Sequence, residues 1–179
     1  MKLAAARELL AALPLTQKTP PDADARLRCQ LAAWMCDHSP LRAQPLQSVP
    51  VSLPSHALAY ELCGLCRMPY HLVACVTLAP CLRFCAARSA RGLSRQAEVA
   101  RALKLAVEGA TDGAAAPALA DEVERFIAQL GLPRRIRDTP VARDSLNAAA
   151  KAFVARKGSL VDGIPAVEDD VINLLQAAW

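Results

Sequence analysis

Aromatic residues are scarce in this chain. They make up 4% of 179 residues, although hydrophobic residues reach 54%. Ala, Leu and Val supply the difference, a composition suited to close-packed helices rather than to strands. Glycine is also sparse, with seven residues and no G-x-G-x-x-G run. A dinucleotide therefore has no ordinary phosphate-binding turn here, and no βαβ pattern surrounds one. Aromatics do not interleave with the basic residues, so base stacking lacks a platform. The net charge of +4 is spread along the chain. Its densest basic run, Arg134, Arg135 and Arg137, reads as a solvated turn rather than a nucleic-acid patch. No apolar run is read as a membrane span, and Pro14 breaks the Leu9–Leu15 stretch before it can act as a signal peptide.

Cysteine is present in an odd number, seven, mostly inside apolar helical stretches. Secreted disulfide frameworks pair their cysteines, so a reducing, cytoplasmic compartment is expected. The apolar content is too high for disorder, and the length suits one domain over 1–179.

One helical template recurs along this domain. Leu27, Leu31, Trp34 and Met35 fall at i, i+4, i+7 and i+8. So do Leu119, Val123, Phe126 and Ile127, with Leu130 following, and Leu146, Ala150, Phe153 and Val154. Val167, Val171, Leu174, Leu175 and Ala178 repeat it. Each set predicts an apolar stripe facing a core. Pro117 suits a first helical turn, with Asp121, Glu122 and Glu124 adding charge near that N-terminus. Gly109 and Gly113 are expected to bracket the break before it, and Gly131 with Pro133 to stop it. Gly158 and Gly163 bracket a later break. Four prolines, Pro40, Pro45, Pro50 and Pro54, predict an extended loop over 39–54. The result is an all-α bundle of about seven or eight helices.

The stretch from Ser55 to Cys85 carries His56, Gly64, Pro69 and the run Leu78-Ala79-Pro80. It resembles the H-x-x-x-H-x-x-G-G … P-H-G … L-P-H pattern of iron-type alcohol dehydrogenases, and most closely their maleylacetate reductase branch. Cys29 to Cys36 with Ala33 and Trp34 resembles the helix before that pattern. Phe126 to Arg137 is similar to the family's L-G-L-P turn, and Glu168 to Trp179 to its closing helix. The resemblance implies the fold of that family's C-terminal helical domain.

Departures from the pattern define what to expect of the chemistry. The resemblance implies a metal held by an Asp and a His one turn apart, then by two further histidines. The first pair would precede Met1, as would the nucleotide-binding half. The third ligand corresponds to His56, the fourth to Tyr70, and the second His of H-x-x-x-H to Tyr60. One histidine of four is a poor basis for iron or zinc, and His71 is one residue out of register. No metal and no nicotinamide cofactor are therefore expected.

Cys63-Gly-Leu-Cys66 is a C-x-x-C that replaces the family's G-G-x-F and reads as core packing, as do Cys81 and Cys85. The adjacent Asp37, His38 and Ser39 carry no weight as a triad, which is a matter of spatial geometry.

His56 and Tyr60, at i and i+4, share one helix face, and Tyr70 with His71 opens the next helix. In the family these positions border the substrate cleft. Histidine can transfer protons near neutral pH and tyrosine can donate to an oxygen. His56, Tyr60, Tyr70 and His71 are therefore the candidate catalytic residues. One expected function is a cofactor-independent isomerase- or cyclase-type step, cycloaddition included, on a small apolar molecule of specialised metabolism. Its alternative is a non-catalytic domain or fragment pairing with a separate nucleotide-binding subunit. An uncovered apolar face predicts a homodimer, with neither nucleic acid nor membrane as partner.

Overall fold

The computed structural model describes residues 2–37, 54–157 and 164–179. These hold eight α-helices and no strand. Two compact units are present, residues 1–50 and 51–179. The expected loop over 39–54 falls outside the described residues except for Pro54, which instead opens a helix. His38, Ser39, Gly158 and Gly163 also lie outside them.

The first unit pairs α1 (Lys2–Ala12) with α2 (Ala23–Asp37) across a short 3₁₀ turn at Leu13–Gln17. Asp22 caps α2 by accepting from the Ala25 N–H at 2.9 Å. The buried face consists of Ala5, Ala12, Ala25 and Ala32. Leu27, Leu31 and Trp34, expected in the core, are more than half exposed. Small alanines let the two backbones approach closely, and that places the larger stripe on the outside of α2.

The second unit is built around α4 (Tyr70–Arg88), which packs against α3 (Pro54–Cys66), α5 (Ala90–Ala102), α6 (Asp112–Gln129) and α8 (Glu168–Ala177). Helix α7 (Ser145–Lys157) closes the core against α3 and α8. The core joins Leu58 and Leu62, Val73 and Val76, Cys81 and Cys85, Leu146 and Phe153, and Val171, Leu174 and Leu175. The α7 and α8 stripes thus face inward as expected, apart from the exposed Val167 ahead of α8. Cys81 and Cys85 are fully buried packing residues. Among the described residues α4 is the one helix long and apolar enough to cross a membrane. This differs from the sequence expectation, because a helix enclosed by four others needs apolar residues around much of its circumference.

Helix α6 starts earlier than expected. Thr111 is its N-cap, Gly113 lies inside it, and Pro117 sits well past its first turn. Its carboxylates work as ion-pair partners instead: Arg83 reaches Asp121 and Glu124 at 2.8 Å each, and Glu124 also meets Arg135 at 3.2 Å. The C-terminal stop is as read. Gly131 at φ +68° lets the Leu132 N–H reach the Ile127 carbonyl and the Gly131 N–H reach that of Ala128.

The α4–α5 corner is tight. The Ser89 hydroxyl accepts from the Gly92 N–H at 2.9 Å, and a Cβ on Gly92 would stand 3.0 Å from the Cys85 carbonyl oxygen. Ser89→Ala should cost about 1 kcal/mol through the lost cap. Gly92→Ala should cost about 1–3 kcal/mol by overpacking. Urea unfolding of both variants against the parent chain measures these losses.

Candidate functional site

The site lies where α3 gives way to α4. Pro54, whose fixed φ suits the start of a helix, opens α3. His56, Tyr60 and Cys63 then follow at i, i+4 and i+7 and so share one face. Arg67 at φ +52° breaks the helix, and Pro69 at φ −58° starts the next. Tyr70 is the first residue of α4. Because α3 packs along α4, the short turn returns Tyr70 to the face that carries His56.

Tyr70 Oη lies 2.5 Å from His56 Nδ1. The His56 ring meets Tyr60 edge-on at 5.2 Å between centroids and Tyr70 at 5.8 Å. The two tyrosine rings are 6.1 Å apart and tilted by 57°. Three of the four candidate residues therefore form one cluster. His71, one position along α4, points about 100° away around the helix and is exposed.

The cluster is open to solvent. Tyr60 is 53% and Tyr70 43% exposed. The cavities found elsewhere in this unit have other walls: one is lined by Cys75, Ala79, Glu124 and Arg134, another of about 280 Å³ by Phe84, Arg88 and Leu174. Partial burial nevertheless raises the Tyr70 phenol above its ordinary pKa, and Tyr60 and Cys63 push in the same direction.

Two further side chains of α3 were not among the sequence candidates. Cys63 is half-buried and packs in part against the core, as read, and its thiol helps to raise the Tyr70 phenol. Its spacing of three from Tyr60 was the available signal. Glu61 has no such signal: it is buried in the α3–α7 packing, with Arg156 Nε at 2.8 Å from its Oε1. That contact has ion-pair distance, yet Oε1 receives no aligned hydrogen bond.

The donor set does not suit a metal within these residues. His56 Nδ1 is engaged by a phenol that holds its proton, and protonated phenols are weak ligands. Among the described residues no three His, Cys, Asp or Glu side chains converge.

A family model for the C-terminal domain of Fe-containing alcohol dehydrogenases matches residues 1–179. The chain belongs to this family. Solved structures agree on the fold of the domain. The crystal structure of a 1,3-propanediol oxidoreductase superposes with a TM-score of 0.73 at 19% identity, over 99% of this chain and 44% of that one. The substrate- and cofactor-free aldehyde reductase YqhD of E. coli gives 0.78 at 19% identity, over 99% and 45%. An alcohol dehydrogenase from Oenococcus oeni gives 0.77 at 16% identity, over 99% and 44%. The chain thus spans under half the length of these iron-type enzymes. The likeness to a maleylacetate reductase branch rests on the sequence motifs alone. Comparison with curated protein sequences gives no match.

The chain has two tyrosines, so the phenol pair can be followed directly. Ultraviolet titration should show one phenol ionising above the ordinary value of about 10, and Tyr70→Phe should abolish that step. Stability should fall as pH climbs from the unfolded phenol's pKa to the raised folded one, since the folded chain binds more protons there. A single transition at the ordinary value would contradict the assigned environment.

Proposed function

We propose that His56 and Tyr70 are a proton-transfer pair acting at an oxygen atom of a small, mostly apolar molecule. The reaction class is an isomerase- or cyclase-type step, cycloaddition included, in specialised metabolism. The observation that carries this reading is the 2.5 Å contact between Tyr70 Oη and His56 Nδ1. A phenol with a raised pKa keeps its proton at neutral pH and can donate it to a carbonyl or enolate oxygen. The imidazole behind it accepts and returns protons and holds the phenol in place. Tyr60 packs edge-on against His56 and gives an apolar wall with a second hydroxyl. His71 is a rim residue that meets solvent beside Tyr70. Nothing in such a step consumes electrons, so it needs no nicotinamide.

A second reading is favoured by the open face of the cluster and by a family whose solved members are about twice as long. Here the chain pairs with a nucleotide-binding half, and the same phenol would protonate an alcohol-forming oxygen. The names of the relatives, an aldehyde reductase and an alcohol dehydrogenase, point to such a substrate class.

The distinguishing experiment follows exchange of α-protons of simple ketones in deuterated water by NMR. The wild-type chain should accelerate exchange without added nucleotide. Tyr70→Phe and His56→Asn should each reduce that acceleration by at least about a hundredfold. Equal rates for all three proteins would overturn the first reading. Consumption of NAD(P)H with an aldehyde, seen only after a nucleotide-binding half is added, would establish the second.

Two further parts of the proposal concern setting. Cys29, Cys36, Cys75 and Cys81 are thiols outside any disulfide, which supports a reducing cytoplasmic location. Homodimer formation is supported by the exposed Leu27, Leu31 and Trp34 on α2. Light scattering should give twice the 19.1 kDa chain mass, and a monomer at high concentration would refute it.

A further inference from the structure

We propose that the cavity between α4 and α8 is a binding site for a small aromatic carboxylate, separate from the His56–Tyr70 corner. The cavity measures about 280 Å³ and lies toward the C-terminal end of α4. At about 1.5 Å per residue, Phe84 stands roughly 20 Å along that helix from Tyr70. Short side chains make the room. Asn173 and Ala177, at i and i+4, line the cavity from one face of α8, while Phe84 and Arg88, also at i and i+4, line it from α4. Leu174 is buried and Phe84 packs against the core, so the inner wall is apolar.

The polar groups on this wall divide into one that is satisfied and two that are not. Both Nη atoms of Arg88 bond Asp170, and its guanidinium lies 5.2 Å over the Phe84 ring. Its charge is thus already answered, and it offers a flat surface beside an aromatic ring. A second ring packs well on such a pair, edge-on to the phenyl or stacked on the guanidinium. Arg83 is different. It gives Nη2 alone to both Asp121 and Glu124, at 2.8 Å each, which leaves its Nε and Nη1 without an acceptor among the described residues. The Asn173 amide also has no hydrogen-bond partner there. A carboxylate matches these spare donors, and an aromatic body matches the wall behind them. Apolar walls with a few polar groups that fix orientation are the usual make-up of a small-molecule site.

The probe is 3-phenylpropionate, titrated into the full-length, nitrogen-15-labelled chain and followed by amide NMR shifts. Saturable shifts are expected at 80–88 and 173–177, with none at 56–70. The uncharged 3-phenylpropionamide and the ringless propionate should each bind at least about tenfold more weakly. Arg83→Gln should lower the affinity for the acid to that for the amide. Ala177→Phe, a change at an exposed position, should fill the cavity and weaken the acid by at least about tenfold while the rest of the spectrum stays in place. Arg83 also ties α4 to α6, so if Arg83→Gln disturbs the spectrum, Asn173→Leu and the amide ligand test the polar contact in its stead. Shifts that fail to saturate, an acid no tighter than either control, or binding that survives Ala177→Phe would overturn the proposal.

Discussion

Helix α4 has to be buried against four neighbours at once, and the rest of the 51–179 unit follows from meeting that demand. Its middle is lined by Val73, Val76, Ala79 and Cys81, none large, so α3, α5, α6 and α8 can all approach. Two polar side chains inside this packing donate to carbonyls of α4. Thr77 returns its hydroxyl to the Val73 carbonyl at 2.8 Å, and Gln96 donates from α5 to the Leu82 carbonyl at 2.9 Å. The helix ends differ from its middle. At the C-terminal end Arg88 lies 5.2 Å over the Phe84 ring and pairs with Asp170 on α8. At the N-terminal end Tyr70 emerges into solvent beside His56. At that end a buried helix delivers a phenol to the surface, whereas Arg88 at the other end is engaged by Phe84 and Asp170.

Much of this was legible in the sequence, for reasons that differ by element. The stripes of α7 and α8 read correctly because their large residues are the ones that become buried. The stripe of α2 misled because burial there follows alanine, which periodicity of large residues does not register. Pro117 misled in a related way: proline marks a first turn when nothing else starts the helix, and here Thr111 starts it sooner. The Gly131 stop was readable because a left-handed residue leaves few alternatives to glycine.

The candidate site was half legible. Helical spacing brought His56 and Tyr60 to one face, and Pro69 stands just ahead of Tyr70 at a helix start. The bond between Tyr70 and His56 depends on how α3 and α4 pack, which no local pattern encodes. Cys63 shares the spacing, and the structure packs it in part against the core, as read. Glu61 shows the opposite failure, since a carboxylate inside a helix pattern gives no hint that it will be buried.

The packing of α4 has a consequence for how such a site can change over time. A helix rotates about 100° per residue, and the buried Val73, Val76 and Cys81 hold α4 in one register. That register aims Tyr70 at His56 and sends His71 about 100° away. A substitution at position 70 therefore changes the group that faces His56 while leaving the core as it is. The chemistry of this corner can drift one residue at a time without repacking the bundle.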